Sequence, residues 1–270
     1  MTDDPELLRL TEELRRIDRP RPPFPYITKP AKMREWTATV LTPWKLANPE
    51  AEEEYHRVKA EAVRRSDAVE ALGIEAAKRE QARAYVERWA GELTALALDT
   101  GKPTPALDAA KAWWPSDSWC LVLTGDPGVG KTVGAAWAAR ESWVKSGNVR
   151  WVSVNEASLE RLFGPEAERL RMAAKNADML VLDDVGKDNN SDVWKAWLEA
   201  VLDARWRDGR RTVLTTNLSA RPDTNLRGET LKAPLEVRLG LRLWDRLAQG
   251  GKLVACGNVS LRRTPQRRAS

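Results

Sequence analysis

The residues best suited to chemistry lie together at Gly125-Asp126-Pro127-Gly128-Val129-Gly130-Lys131-Thr132, followed by Val133. They read G-x-x-x-x-G-K-T, the spacing of a phosphate-binding P-loop at every fixed position. Gly125, Gly128 and Gly130 free the backbone for positive φ and let its N–H groups approach an anion closely. The loop opens onto a predicted helix, whose N-terminal amides and dipole favour negative charge. In that setting Lys131 reaches the β- and γ-phosphates of a nucleotide such as ATP, and the Thr132 hydroxyl ligates Mg²⁺. A glycine turn that binds nothing is the plain alternative. The flanks argue against it. Trp119 to Thr124 is a short apolar run suited to a buried strand, and Val133 to Lys145 reads as a helix with Val133, Ala136, Trp137 and Val144 on one stripe.

Three further features carry candidate chemistry. Met179-Leu180-Val181-Leu182 is an apolar strand that ends in Asp183-Asp184. In a P-loop fold this strand is expected beside the P-loop strand, so that Asp183 holds the Mg²⁺ and Asp184 orients or deprotonates the attacking water. An apolar run closed by two acids is otherwise a common strand end. Asn217 closes the next strand, Thr212 to Thr216. Its amide could bond a γ-phosphate or a water, or could form an ordinary Asn turn. Arg242 and Arg246 stand one helical turn apart on one face. Either could serve as an arginine finger on a neighbouring chain's phosphate, or could pair at the surface with Asp245 or Glu236.

The elements that must position these residues follow from the pattern. From residue 119 onward strands and helices alternate, which predicts a parallel sheet with helices on both faces. Strands are expected at Val149 to Val154, Met179 to Leu182, Thr212 to Thr216 and Lys252 to Cys256. Helices are expected at Ala157 to Phe163, Glu166 to Asn176, Val193 to Trp206 and Pro234 to Leu247. Upstream, residues 5 to 18 form a short helix with Leu7, Leu10, Leu14 and Ile17 on one stripe. That helix is either a partner-docking arm or folds back on the rest of the chain. Pro20 to Pro25 is an extended linker. Residues 49 to 97 are helical, with Gly73 and Gly91 as candidate breaks, and Ala106 to Trp114 is a helix leading to the P-loop strand. The tail carries Arg262, Arg263, Arg267 and Arg268 and no acid. The expected division is residues 1–30, a helix and Pro-rich linker; 31–105, a helical region; 106–260, the nucleotide domain; and 261–270, a basic tail.

Composition narrows the function classes. At 270 residues and 42% apolar, the chain can build one large domain with an appendage. A net charge of +5 permits nucleic-acid binding without requiring it. Two cysteines and one histidine cannot make a Cys/His zinc cluster. With no disulfide framework in view, a reducing cytoplasm is the expected compartment. Neither a membrane span nor a signal segment is expected. The base-reading Asn-Lys-x-Asp of GTPases and the Leu-Ser-Gly-Gly of ABC ATPases do not occur.

Taken together, Gly125 to Thr132, Leu180-Val181-Leu182-Asp183-Asp184-Val185-Gly186, Leu202-Asp203-Ala204-Arg205-Trp206, Thr212 to Ser219, and Leu239-Gly240-Leu241-Arg242 through Asp245-Arg246-Leu247 resemble the AAA+ ATPases of the DnaC/IstB kind. These are helicase loaders and transposition helper ATPases, and the likeness covers roughly residues 106 to 260. The resemblance implies ATP hydrolysis, with Lys131 and Thr132 as nucleotide and Mg²⁺ ligands and Asp183 and Asp184 as the Walker B pair. Asn217 becomes sensor 1, and Arg242 and Arg246 become finger or sensor candidates. It further implies homo-oligomers with ATP between subunits, assembling on single-stranded DNA and on a replicative helicase gripped by the N-terminal region. The alternative is an IstB-like helper that binds DNA and a transposase. The Pro-rich segment, the long charged helical region and the lack of zinc-binding cysteines depart from zinc-bearing loaders.

Overall fold

A computed structural model describes residues 4–18, 30–154, 165–186, 192–219, 223–224, 230–232, 235–258 and 260–261. The Pro20 to Pro25 linker, the helix expected at Ala157 to Phe163 and residues 262–270 of the basic tail lie outside them. The chain forms two compact units, Met1–Ala77 and Lys78–Ser270.

The first unit holds α1 (Pro5–Asp18), α2 (Pro30–Trp36), a π-helical turn (Thr37–Leu41), α3 (Thr42–Ala47) and most of α4 (Pro49–Ala90). The apolar stripe of α1 folds back: Leu10 and Ile17 are buried against Val58 and Ala62 of α4, with Leu14 and Tyr55 beside them. Asp4 caps α1 by accepting the Leu7 N–H at 2.9 Å. The same carboxylate receives two bonds from Arg65, at 2.7 and 3.1 Å, and the guanidinium holds it below the usual carboxylate range. Helix α4 runs through Gly73 without a break, contrary to expectation. An interior glycine costs only about 1 kcal/mol against alanine, and the Ala-, Glu- and Arg-rich flanks absorb that. The break falls at Gly91, at φ 88°.

In the second unit, α5 (Glu92–Asp99) and α6 (Pro105–Trp113) precede β1 (Cys120–Thr124), α7 (Lys131–Ser146) and β2 (Val149–Ser153). Then come α8 (Pro165–Asn176), β3 (Met179–Val185), α9 (Asp192–Arg207) and β4 (Arg211–Thr216). A small antiparallel pair, β5 (Asp223–Thr224) and β6 (Thr230–Lys232), leads to α10 (Leu235–Leu239), α11 (Leu241–Gly250) and β7 (Gly251–Ala255). The main sheet has the order β2-β3-β4-β1-β7, and every pairing in it is parallel. Strand alternation sorts its side chains into two cores. Leu121, Leu123, Met179, Val181 and Val213 pack toward α6 and α7. Cys120, Val122, Leu180, Leu182 and Leu214 pack toward α9 and α11. The expected parallel α/β sheet, preceded by a helical region, is the observed architecture.

Three local expectations are corrected. Strand β3 does not lie beside β1; β4 stands between them. Its residues Thr212 to Thr216 are wholly buried, as a central strand requires. The buried face of α7 is built from Gly134, Ala135, Ala136, Ala138, Ala139 and Ser142, while Val133, Trp137 and Val144 are only half-buried. The helix packs too closely for larger groups: a Cβ on Gly134 would meet the Ala106 carbonyl oxygen at 2.5 Å. The helix expected over 234–247 is two, because Gly240 takes φ 80° between α10 and α11.

One buried cation serves the fold alone. Arg205 of α9 is fully buried and donates to the carbonyls of Ala174 (2.8 Å), Ala177 (2.7 Å), Lys175 (3.2 Å) and Arg211, and to the Thr212 hydroxyl (2.9 Å). It ties the end of α8 to the start of β4. Burial pulls its pKa down to about 9, so it still carries its proton at neutral pH.

Candidate functional site

The C-terminal ends of β1, β3 and β4 converge on the start of α7. The loop between β1 and α7 is held from outside by the segment after β7. Asp126 N–H donates to the Gly257 carbonyl at 3.3 Å, and Leu261 N–H donates to the Gly128 carbonyl at 2.8 Å. Gly125, at φ 141°, passes so near that a Cβ there would meet the Gly257 oxygen at 2.7 Å. Gly130 begins α7 at φ 90°. Beside it Thr104 caps α6, its hydroxyl accepting the Leu107 N–H at 3.1 Å.

Lys131 is buried with 5% of its surface exposed. Its ammonium donates to the carbonyls of Gly125 (2.7 Å) and Asp126 (2.8 Å) and to Asn217 Oδ1 (2.8 Å). Burial pulls its pKa down; the carboxylates of Asp184 and Asp183 and the Cys256 thiol oppose that shift. Because β4 lies between β1 and β3, Asn217 at its end sits between the P-loop lysine and the acidic pair.

The acidic pair occupies an irregularity in β3. Leu182 pairs with Leu214 and Val185 with Thr216, so Asp183 and Asp184 together face a single β4 residue, Thr215. This is a β-bulge, which re-aims side chains. Asp183 keeps the α7-facing phase of Met179 and Val181, and its Oδ1 accepts the Thr132 hydroxyl at 3.3 Å. Asp184 takes φ 64°, the only positive φ of a non-glycine residue among those described. Both carboxylates line one cavity of about 800 Å³ together with Lys131, Thr132 and Asn217.

That cavity places the remaining candidates. Pro127, Gly128, Gly130 and Val133 line it; its far wall comes from α5 (Leu93, Thr94, Ala97) and Leu261. Gly125, Asp126 and Val129 do not line it; Asp126 is exposed and Val129 is buried with 1% exposure. Arg242 and Arg246 do not line the cavity. Arg242 is exposed and pairs with Glu199 at 3.1 Å and Asp203 at 3.7 Å. Arg246 is 14% exposed, pairs with Asp203 and lies 4.7 Å from the Trp206 ring centre. Their partners are on α9, not Asp245 or Glu236. Spacing alone put both arginines on one face; it could not show that α9 pairs with both yet leaves Arg242 exposed and Arg246 largely buried.

Sequence reasoning missed Thr215, α5, Gly257 and Leu261 as parts of the site. Only Thr215 carried a signal, its place two residues before Asn217.

The residues present fit a magnesium-bound nucleotide. A hydroxyl and a carboxylate within 3.3 Å of each other are the hard oxygen donors Mg²⁺ takes, and phosphate oxygens and water complete such shells. The caged ammonium and the glycine-loop amides supply positive potential for phosphates. Among the described residues, no group of three His, Cys, Asp or Glu could hold a metal by itself. No described helix is long and apolar enough to cross a membrane.

The chain is similar to several known proteins. The replicative helicase loader DnaC of Escherichia coli (strain K12) is 29% identical over 129 residues, 46% of this chain and 52% of that protein. The chain thus spans about half the length of the curated relatives it matches. The crystal structure of the DnaC helicase loader aligns at 24% identity with a TM-score of 0.43, over 57% of this chain and 92% of that one. AMPPCP-bound DnaA from Aquifex aeolicus aligns at 18% identity with a TM-score of 0.40, over 56% and 43%. The family described as IstB-like ATP binding protein matches residues 105–269, from the start of α6 through the P-loop, the acidic pair and Asn217. With the match covering well over half of the sequence, this chain belongs to the IstB-like ATP-binding family.

Proposed function

We propose that this protein is an ATP-dependent helicase loader that hydrolyses ATP with Mg²⁺ and assembles on single-stranded DNA and a replicative helicase. The observation that carries the enzymatic part is the convergence of Lys131, Thr132, Asp183, Asp184 and Asn217 on one cavity. Lys131 and the loop amides bind the phosphates. Thr132 and Asp183 hold the metal. Asp184 orients the attacking water, and Asn217, already bonded to Lys131, marks the γ-phosphate position. A Mg²⁺ ion held by Thr132 and Asp183 would supply positive charge to offset the charge that develops on the phosphates.

Arg242 is the better finger candidate of the two arginines. It is exposed, and its pairs with Glu199 and Asp203 leave the guanidinium open to solvent, so a neighbouring copy's nucleotide can compete for it. Copies of this chain would then form an oligomer with ATP between subunits. The similarity to the DnaC loader supports the helicase as partner. The first unit offers it the exposed Leu46, Leu72 and Ile74, whereas the α1 stripe is already covered by α4. Co-purification with the cognate replicative helicase at micromolar concentration, with and without ATP, tests this reading; no association in either condition overturns it.

A second reading is favoured by the family match itself: an IstB-like helper that binds DNA and a transposase. Capture of a transposase in place of the helicase, with preference for double-stranded DNA, would select it.

A further inference from the structure

Taking the site as a nucleotide-hydrolysing centre, we propose that Thr215 is its positioning residue: the single β4 side chain opposite the Asp183–Asp184 bulge, whose hydroxyl joins the metal-binding carboxylate of Asp183 to the backbone N–H of the water-orienting Asp184. The two-against-one register places it there. The Thr215 hydroxyl donates to Asp183 Oδ1 at 2.6 Å and accepts the Asp184 N–H at 2.9 Å. A hydroxyl has one proton and two lone pairs, so it performs both tasks at once. Its surface is fully buried, so water does not compete for either bond.

The geometry at Asp184 needs such a brace. A left-handed backbone costs a residue with a Cβ about 1–2 kcal/mol, and strain of this kind persists where surrounding bonds over-determine it. The Thr215 bond holds the peptide that turns the Asp184 side chain into the cavity. Two residues on, the same strand delivers Asn217 to Lys131. Strand β4 therefore sets the acidic pair and the γ-phosphate amide in one rigid frame. Without the hydroxyl, the Asp184 N–H loses its 2.9 Å bond, the turn relaxes, and Asp183 loses a 2.6 Å bond. The phosphate cradle, built on β1 and α7, stays in place.

The test compares Thr215→Val, Thr215→Ser and Thr212→Val in the full chain. Thr212 is an equally buried β4 threonine whose hydroxyl accepts from Arg205 at 2.9 Å, away from the cavity. We expect Thr215→Val to lower kcat for ATP by about 10²-fold, the scale of a mispositioned acid–base group. Its MgATP affinity at saturating Mg²⁺ should stay within about 3-fold of wild type, because the cradle keeps its hydrogen bonds. Thr215→Ser, which keeps the hydroxyl, restores kcat. Thr212→Val lowers the melting temperature and keeps kcat. Wild-type kcat in Thr215→Val, or equal damage from Thr215→Ser and Thr215→Val, overturns the proposal. If Thr215→Val does not fold, Thr215→Ala removes the same hydroxyl and is read the same way. A wild-type chain that binds MgATP without hydrolysing it would remove the hydrolysis reading instead. The brace is then read from the Mg²⁺ concentration that gives half-maximal ATP binding: Thr215→Val raises it and Thr215→Ser does not, and no change in Thr215→Val overturns the proposal.

Discussion

Strand β4 lies between two buried cations, and they have opposite uses. At its start, Arg205 donates to the carbonyls of Ala174, Ala177 and Arg211 and to the Thr212 hydroxyl, all fixed groups of the fold. Near its end, Lys131 is held by the loop carbonyls and by Asn217, beside an 800 Å³ cavity and two carboxylates. Burial lowers both pKa values. Burial and a shifted pKa therefore do not separate a staple from a site. What separates them is whether the partners are fixed backbone groups of the fold or groups that a ligand can replace.

Exchanging each cation for a neutral residue should break the comparison most visibly. Lys131→Ala should lower ATP hydrolysis by about 10²-fold or more, the scale of losing one charge-stabilising donor, with little change in melting temperature. Arg205→Met should do the reverse. It strands several buried carbonyls, at a cost of about 3 kcal/mol or more, read as a fall in the urea midpoint while the remaining folded fraction still binds MgATP.

Asp184→Gly sharpens the contrast within the site. Glycine accepts φ 64° freely, so stability should rise by about 1 kcal/mol while hydrolysis falls with the lost carboxylate. A variant that is both less stable and still active would contradict the strain argument. The two arginines of α11 form a smaller test. Arg246→Ala loses a part-buried pair with Asp203 and its contact with Trp206, and should cost about 1–2 kcal/mol. Arg242→Ala, an exposed pair, should cost no more than about 0.5 kcal/mol yet lower hydrolysis in assemblies; mixing it with Lys131→Ala chains should restore part of the rate.

The smallest effect is in pH. Lys131 titrates below an ordinary lysine, so between its lowered value and the ordinary one the unfolded chain binds more protons. Stability then rises with pH across that window, while nucleotide affinity falls as the ammonium is lost. Urea unfolding of wild type and Lys131→Met at rising pH should show the slope in wild type alone.

The parts of this site that were legible in the sequence are local. The glycine spacing, Lys131 and Thr132 lie in one loop, and Asp183-Asp184 and Asn217 announce themselves as polar residues closing apolar strands. The parts that were hidden depend on pairing across the chain. That β4 separates β1 from β3 is a topological fact with no local mark. The role of Thr215 exists only through the register shift opposite it. The sequence points to Val133, Ala136, Trp137 and Val144 as the stripe of α7, whereas the buried face is made of small residues because close packing on α6 selects against large side chains. The fold-back of α1 and the split between Arg242 and Arg246 depend on which helix lies opposite, which periodicity does not contain.

The most direct measurement is a calorimetric titration of MgATP into the full chain, repeated with EDTA and with Lys131→Ala and Thr132→Ala. This account predicts one site per chain, lost in Lys131→Ala and weakened both by EDTA and by Thr132→Ala. Unchanged affinity in Lys131→Ala would contradict it.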